Sequence, residues 1–409
     1  MKVLHVNNVD LHGRRFNGYD LLDDIERRGH CARQAVLTKQ SDDPRVVCLA
    51  DEPQDEDLQQ ALCRIEQRRA MSNLLFPWGR RLAQTNLFRS ADVVHYHLLH
   101  NQMVSLLDLP ELCQRKPSVW TMHDPWPCTG HCLQPGDCSK WLNGCDPCAY
   151  PEIPFAIGEG GAERMWRVKK SVFAEVDVDI VVASAFMHDM VRRSPLTAQF
   201  QRVHHIPFGI DADTFLSDAE RPVSRASLGV RLDDFVVLVR ASANEIKGLR
   251  YLIQALSDRT PARSTTILAL DEKGLLNDVV GYTVVELGWV DDPARLARAY
   301  NACDVFVMPS TAEAFGLMAL EALAAGRPTL SFIGTVIPAL TRAPECGIAV
   351  PMGDSVKLRE ALDHFSHDSR DLRRRSEYAR AIAHRQHKHA TYVDTLLALY
   401  ADVAGRSRS

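Results

Sequence analysis

The sequence predicts two doubly wound α/β domains, each built on a parallel sheet. Three observations carry that prediction. Short apolar runs alternate with stretches of helical periodicity; the runs fall into two sets of six; and 409 residues exceed what one ordinary domain holds. The first set lies at 3–6, 35–37, 93–97, 119–122, 180–183 and 203–206. The second lies at 235–239, 266–270, 284–287, 305–308, 329–332 and 348–350. Between them run amphipathic segments such as Leu249, Leu252, Ile253 and Leu256, apolar at i, i+3, i+4 and i+7. Pro207-Phe208-Gly209-Ile210-Asp211 and the polar residues up to Ala226 mark a boundary. The predicted domains are therefore 1–208 and 209–388, with a tail at 389–409. An amphipathic stretch at 392–400 reads as an extra helix that returns to the first domain. Open α/β sheets bind ligands at the carboxyl ends of their strands, so two facing sheets predict an interdomain cleft.

Bulk composition excludes several classes of function. Hydrophobic residues make up 46% and charged residues 24%, as in a soluble globular protein, and a formal net charge of −4 argues against a dedicated nucleic-acid binder. No apolar run approaches the ~20 residues of a membrane span. Met1-Lys-Val-Leu-His-Val-Asn reads as a strand rather than a signal peptide, which predicts a cytoplasmic protein.

The most informative segment is Glu313-Ala-Phe-Gly-Leu-Met-Ala-Leu-Glu321. It follows the strand at 305–308 and Pro309-Ser310, and Ala-Ala-Gly326-Arg-Pro328 closes the helix read at 316–325. Phe315, Gly316 and Leu317 thus fall at a helix N-terminus, where backbone N–H groups and the helix dipole favour phosphate. Were the whole span helical, the two carboxylates would stand about 12 Å apart, at ~1.5 Å per residue. That matches a nucleoside diphosphate sugar from sugar ring to ribose. The spacing alone is also met by two solvated acids on a surface helix.

In this context the segment resembles the donor-site signature of the retaining glycosyltransferases of family 4, which have the GT-B fold: two Rossmann-like domains facing an interdomain cleft. The resemblance covers nearly the whole chain and is strongest in its second half. It implies that Glu313 holds the donor sugar, that Glu321 holds the ribose, and that Phe315, Gly316 and Leu317 meet the phosphates. It also implies that Arg240, at the end of the strand 235–239, and Lys247, in Asn244-Glu245-Ile246-Lys247-Gly248, face the diphosphate. Fixed cations stabilise a departing nucleoside diphosphate, so no cofactor is expected for catalysis. Val239-Arg240-Ala241 departs from the family's usual Gly-Arg-Leu, and Phe208 replaces the Asn of its Pro-Asn-Gly-Ile-Asp. His123, ending the strand 119–122, matches the family's histidine that contacts the donor sugar. Gly18 stands in the loop after the first strand, which in the family approaches the phosphates; Arg14 and Arg15 replace its usual small residues. Val290, in Glu286-Leu-Gly288-Trp289-Val290, matches the segment near the base. Ser184 matches a serine near the cleft, or is a helix N-cap.

Five of the eleven cysteines lie between Cys128 and Cys148, in an insertion at about 126–150. Cys132, Cys138, Cys145 and Cys148 can supply four thiolates to a structural zinc, with Cys128 and His131 as spare ligands. Unmetallated thiols or disulfides are the alternative. The insertion resembles that of colanic-acid and O-antigen type glycosyltransferases. Residues 71–88 mix Leu74, Leu75, Phe76, Trp78, Leu82, Leu87 and Phe88 with Arg80, Arg81 and Arg89, a pattern that can rest on an anionic membrane, here the inner one. The expected function is transfer of a sugar from a UDP- or GDP-linked donor to a glycan or lipid-linked acceptor, in bacterial surface polysaccharide or lipopolysaccharide biosynthesis. The competing readings are a nucleotide-sugar epimerase or hydrolase of the same fold and a non-catalytic GT-B binding subunit.

Overall fold

The computed structural model describes residues 1–148, 157–215, 218–257, 261 and 263–406. Residues 149–150 of the expected insertion, 216–217 of the polar stretch and 407–409 of the tail lie outside the described residues. The chain forms two compact units, Met1–Pro207 with Tyr392–Ser409, and Phe208–Thr391.

The first unit holds a seven-stranded sheet of β1 (Lys2–Val6), β2 (Cys31–Val36), β3 (Val46–Cys48), β4 (Val93–Tyr96), β5 (Ser118–Thr121), β6 (Asp179–Val182) and β7 (Val203–His205), in the order β3-β2-β1-β4-β5-β6-β7. The second unit holds a six-stranded sheet of β8 (Phe235–Ala241), β9 (Thr265–Asp271), β10 (Thr283–Gly288), β11 (Val305–Met308), β12 (Thr329–Phe332) and β13 (Gly347–Val350), ordered β10-β9-β8-β11-β12-β13. Neighbouring strands are parallel in both sheets. β3 has no counterpart among the runs read from the sequence. It is an edge strand of three residues, Val46-Val47-Cys48, with only Val46 buried, too short to stand out from the loop around it.

Apolar runs become strands here because helices cover both faces of each sheet. Along β8, Phe235, Val237 and Val239 enter one core cluster while Val236 and Leu238 enter another on the opposite face. Burial of each such side chain contributes roughly 1.5–3 kcal/mol. The helix His389–Arg406 carries the chain back to the first unit from Tyr392 onward. There Tyr400 is fully buried with its hydroxyl 2.6 Å from His95 Nδ1, and Arg406 Nη2 donates to Asp179 Oδ1 at 2.8 Å.

The strand order reverses between β1 and β4 in the first sheet and between β8 and β11 in the second. Loops leaving adjacent strands at such a point diverge to opposite faces and open a crevice at the carboxyl ends. The topology therefore singles out the loops after β1, β4, β8 and β11.

One expectation is corrected at this level. Phe76, Trp78, Leu82 and Phe88 are buried in the first unit, Trp78 and Leu82 on the helix Trp78–Gln84, Phe88 on the helix Asn86–Ser90 and Phe76 just before them. Arg81 is bound to Asp55 and Arg80 to Asp108. Of the seven apolar side chains read as membrane-facing, those four are core residues, whereas Leu75 is exposed and Leu74 and Leu87 are half-buried. Among the described residues no helix is long and apolar enough to cross a membrane.

Candidate active site

In the second unit the loops after β8 and β11 are locked together by close backbone approach. Asn244 opens a short 3-10 turn, Glu245–Lys247, by accepting from Ile246 N at 3.1 Å. Gly248 follows at φ 67°, and a Cβ placed there would lie 1.9 Å from the carbonyl oxygen of Pro309. Thr311 N donates to Ile246 O at 2.8 Å. A glycine is needed at 248 for both reasons, positive φ and contact with backbone. The consequence is chemical: Lys247 Nζ meets Glu313 Oε1 at 2.8 Å, with both side chains largely withdrawn from water. Two residues singled out by sequence, 66 positions apart, are thus joined at the switch point of the sheet.

Glu313 lies in the loop before the helix, which runs Leu317–Ala324 with Gly316 as its N-cap at φ 94°. The span from Glu313 to Glu321 is therefore not one helix, and axial spacing does not set the distance between the carboxylates. Gly316 is fixed by packing, since a Cβ would come within 2.3 Å of Ile337 Cδ1. Phe315 is buried edge-on against Phe208, with ring centroids 5.0 Å apart. Phe208, the departure from the family's Asn, thus props the loop from below. Leu317 opens the helix whose first N–H groups lack intrahelical acceptors. Glu321 is buried on its second turn.

Arg240 sits at the end of β8 with Nε 2.7 Å from Asp271 Oδ2, and Asp271 itself holds φ 83° at the end of β9. Asp271 carried no sequence signal, because a single acid after an apolar run looks like any turn residue. Val290 is half-buried against the core in the loop after β10, an edge strand separated from β8 by β9, and so lies away from the switch point. Gly334 and Thr335 follow β12, with Thr335 Oγ1 donating to Phe332 O at 3.1 Å.

The first unit presents a different kind of site. His123 lies just past β5, and its Nε2 is 3.2 Å from His97 Nδ1. His97 Nε2 is in turn 3.1 Å from His5 Nδ1. His5 and His95 are register partners across β1 and β4, and His97 is two residues past His95, so all three share one face of the sheet. Burial lowers the pKa of His5 to about 3 and of His123 to about 4, and holds His95 and His97 well below the usual histidine range. These rings are neutral at pH 7. Beside them His100 Nε2 lies 3.2 Å from Asp124 Oδ2.

Gly18 belongs to this cluster. At φ 93° it packs on the His5 ring, where a Cβ would stand 2.5 Å from Nδ1. Its loop is shaped by Asn17, fully buried, whose Nδ2 donates to Val9 O at 2.8 Å and Asp10 O at 2.6 Å. Arg14 pairs with Asp20. Sequence reasoning missed His5, His97 and Asn17. The His-x-His at 95–97, alternating onto one face of a strand, was the available signal. Ser184 caps the helix Ala185–Arg193, accepting from Met187 N at 3.2 Å.

The cysteine-rich insertion is more buried than its polar sequence suggests. Trp126, Cys128, His131, Cys132, Trp141 and Cys145 are all buried. Gly130 rests on Ala162 O, which would be 2.3 Å from a Cβ, and the buried Lys169 donates to Trp126 O and Thr129 O at 2.6 and 2.9 Å. All eleven cysteines are free. Gly130 N donates to Cys145 Sγ at 3.2 Å, and His131 Nε2 lies 3.5 Å from Cys148 Sγ and 3.9 Å from Cys132 Sγ. A zinc thiolate tetrahedron needs sulfurs about 3.8 Å apart, given Zn–S near 2.3 Å. Cys132, Cys138, Cys145 and Cys148 are not gathered that closely: among the described residues, the one group of three or more ligand atoms within 4.8 Å of each other is His5, His95 and His97.

Comparison with known proteins decides the family. Residues 35–214 match the family described as Glycosyltransferase Family 4, and residues 234–368 match Glycosyl transferases group 1. Each of its two domains matches a glycosyltransferase family model, and its fold is GT-B. A colanic acid biosynthesis glycosyl transferase by name, WcaC of Escherichia coli K12, is 25% identical over 58% of this chain and 59% of its own length. A D-inositol 3-phosphate glycosyltransferase of Arthrobacter is 30% identical over 46% of this chain and 47% of its own. The chain thus spans roughly half the length of these relatives. In fold it is similar to sucrose-phosphate synthase of Thermosynechococcus elongatus (TM-score 0.73, 18% identity, 99% and 100% of the two chains). It is also similar to Anabaena HepE, solved with UDP and glucose (0.66, 18%, 98% and 99%), and to WaaG, a glycosyltransferase of lipopolysaccharide biosynthesis (0.65, 15%, 98% and 99%).

Proposed function

We propose that this glycosyltransferase moves a sugar from a nucleoside diphosphate sugar, UDP- or GDP-linked, to a hydroxyl of a glycan or lipid-linked acceptor, with retention at the anomeric carbon, in the synthesis of a bacterial surface polysaccharide. The observation that carries it is the Lys247–Glu313 contact at the β8/β11 switch point, directly before the helix that starts at Leu317. That arrangement combines a fixed cation, a sugar-binding carboxylate and a helix N-terminus. The names of the relatives support the setting: WcaC for colanic acid and WaaG for lipopolysaccharide.

In this reading the bond from the anomeric carbon to the β-phosphate oxygen breaks, and the nucleoside diphosphate leaves with the electron pair. Lys247 and Arg240 stabilise that charge without reorganising, because their partners Glu313 and Asp271 already hold them. The acceptor oxygen bonds to the same face of the carbon and its proton passes to the departing phosphate oxygen. Glu313 accepts from sugar hydroxyls, Glu321 from the ribose, and His123 hydrogen-bonds the sugar. A structural zinc on Cys132, Cys138, Cys145 and Cys148 is a separate proposal. Its support is the donor set, with His131 beside two of the sulfurs. Less than stoichiometric zinc in freshly reduced protein would remove it.

The test is a thermal-shift series with UDP, GDP, ADP and CMP on wild type and Glu321→Ala, followed by transfer from the matching nucleotide sugar. The reading expects one nucleoside diphosphate to stabilise wild type and not the variant, since a ligand of the native state stabilises it by mass action. NMR of the product should show the donor's anomeric configuration. No nucleotide shift in a folded sample, or donor conversion with no acceptor present, would overturn it.

A further inference from the structure

His5, His97 and His123 form a continuous chain of hydrogen-bonded imidazoles, at 3.1 and 3.2 Å, running from the core of the first sheet to the loop after β5. We propose that His97, backed by His5, is a positioning residue for His123: it occupies Nε2 of His123 and fixes its proton on Nδ1, so that any hydrogen bond the ring donates to substrate leaves from Nδ1. The proposal rests on the reading that His123 meets the sugar, and it deepens that reading by naming the tautomer and what sets it.

The direction of the chain follows from its buried end. A neutral imidazole has one donor and one acceptor, and the bond made by one nitrogen sets the state of the other. His5 is fully buried, and its Nε2 has no partner among the described residues. A proton on that nitrogen would leave an N–H stranded, which costs more than a stranded lone pair. The proton of His5 therefore sits on Nδ1 and is donated to His97 Nε2. With Nε2 accepting, His97 carries its own proton on Nδ1 and donates it to His123 Nε2, with the Phe16 carbonyl, which also hydrogen-bonds this ring, as a second acceptor for that proton. His123, neutral, keeps its proton on Nδ1.

The surroundings hold this order. Gly18 packs beside His5, where any side chain would strike the ring at Nδ1. The His95 ring stands 4.2 Å from that of His97 with its nitrogens taken by the Tyr400 hydroxyl at 2.6 Å and Thr121 Oγ1 at 2.7 Å. Phe16 covers His123, with ring centroids 5.1 Å apart. A metal on His5, His95 and His97 is the competing occupant, since their ligand atoms lie within 4.8 Å of one another. It would have to displace the His5–His97 bond and one partner of His95.

The experiment is two-bond ¹H–¹⁵N NMR at pH 7.5 on the full chain labelled at histidine ring nitrogens, with His123 assigned by its loss in His123→Gln. The expected result is His123 and His97 neutral with protons on Nδ1. His97→Phe should release His123 from that single tautomer and lower kcat about tenfold or more, while the nucleotide Kd changes less than twofold. His97→Gln, whose amide can donate to Nε2, should recover part of the rate. His123 found charged or protonated on Nε2 in wild type, or a stoichiometric metal on the three histidines, overturns the proposal even if His97→Phe fails to fold. An unchanged tautomer and rate in a folded His97→Phe also overturns it. Absence of transfer with any donor would instead defeat the transferase reading and leave the tautomer measurement standing.

Discussion

The two switch points of this molecule are built alike and furnished differently. After β8 and β11, opposite charges are set in contact: Lys247 on Glu313, and Arg240 on Asp271. After β1 and β4, the same topological position is filled by uncharged imidazoles stacked into the core. The difference teaches what each half can handle. Paired ions held in place and largely withdrawn from water can re-pair with a diphosphate at little reorganisation. A buried neutral ring cannot balance a phosphate, but it can hold one N–H in one direction, which suits a sugar hydroxyl.

The sharpest way to break the contrast is to remove the cation. Lys247→Ala should lower kcat by about 10²–10³-fold, the range for losing one preorganised group at developing charge. It also leaves Glu313 without its ion pair. Glu313→Gln tests the pair from the other side and should weaken sugar recognition while nucleotide affinity holds. Equal nucleotide affinity and rate in Lys247→Ala and wild type would mean that the contact is structural.

The two glycines allow a comparison at fixed chemistry. Gly248→Ala drives a methyl into the Pro309 carbonyl at positive φ, with no flexible side chain to give way. We expect a loss of about 2–3 kcal/mol, read as a lower Tm, together with loss of nucleotide binding. Gly18→Ala meets the His5 ring instead. It should lower kcat and Tm but spare nucleotide binding. If Gly18→Ala abolished nucleotide binding selectively, Gly18 would belong to the phosphate site after all.

The charge difference also predicts a pH response. Burial lowers the folded pKa of His5 to about 3 and of His123 to about 4, against roughly 6.5 in an unfolded chain. The folded state therefore binds fewer protons than the unfolded state below about pH 6.5. The stability of these neutral rings is fully present above that value and falls as pH drops toward the folded pKa, by up to ~1.4 kcal/mol per pH unit for each ring. Asp179, lowered to about 2 by His204, Arg406 and Arg202 against the opposing effect of burial, loses its contribution only below about pH 4. Tm should thus decline between pH 6.5 and 4.5, and His5→Gln should flatten the decline. A Tm that is level over this window would show that the rings are solvated.

Much of this was legible in the sequence, for reasons that differ by residue. All six strands of the second sheet were marked by apolar runs, because a strand covered on both faces leaves no polar alternation. Lys247, Glu313 and Gly316 were legible through their resemblance to the donor-site motifs of family 4 glycosyltransferases, set between a buried strand and a helix. What stayed hidden depended on neighbours distant in sequence. His5 and His97 acquire meaning only when β1 pairs with β4, and Asp271 only when β9 lies beside β8. Trp78 and Phe88 read as membrane-facing because their basic neighbours are close in sequence, whereas the core they fill is not.

The smallest expected effect concerns Ser184, for which sequence left two roles open. Its hydroxyl accepts from Met187 N at 3.2 Å at the start of the helix Ala185–Arg193. A cap of this kind contributes about 1 kcal/mol, so Ser184→Ala should lower Tm by a few degrees with kcat and KM unchanged. Ser184→Asp keeps a capping oxygen and adds charge at the positive end of the helix dipole, so it should restore Tm. A site residue would respond in the opposite way: Ala would leave Tm nearly intact and reduce the rate, and Asp would not rescue it. The pair of variants separates a backbone cap from a substrate contact at the carboxyl end of β6, where the fold could have used either.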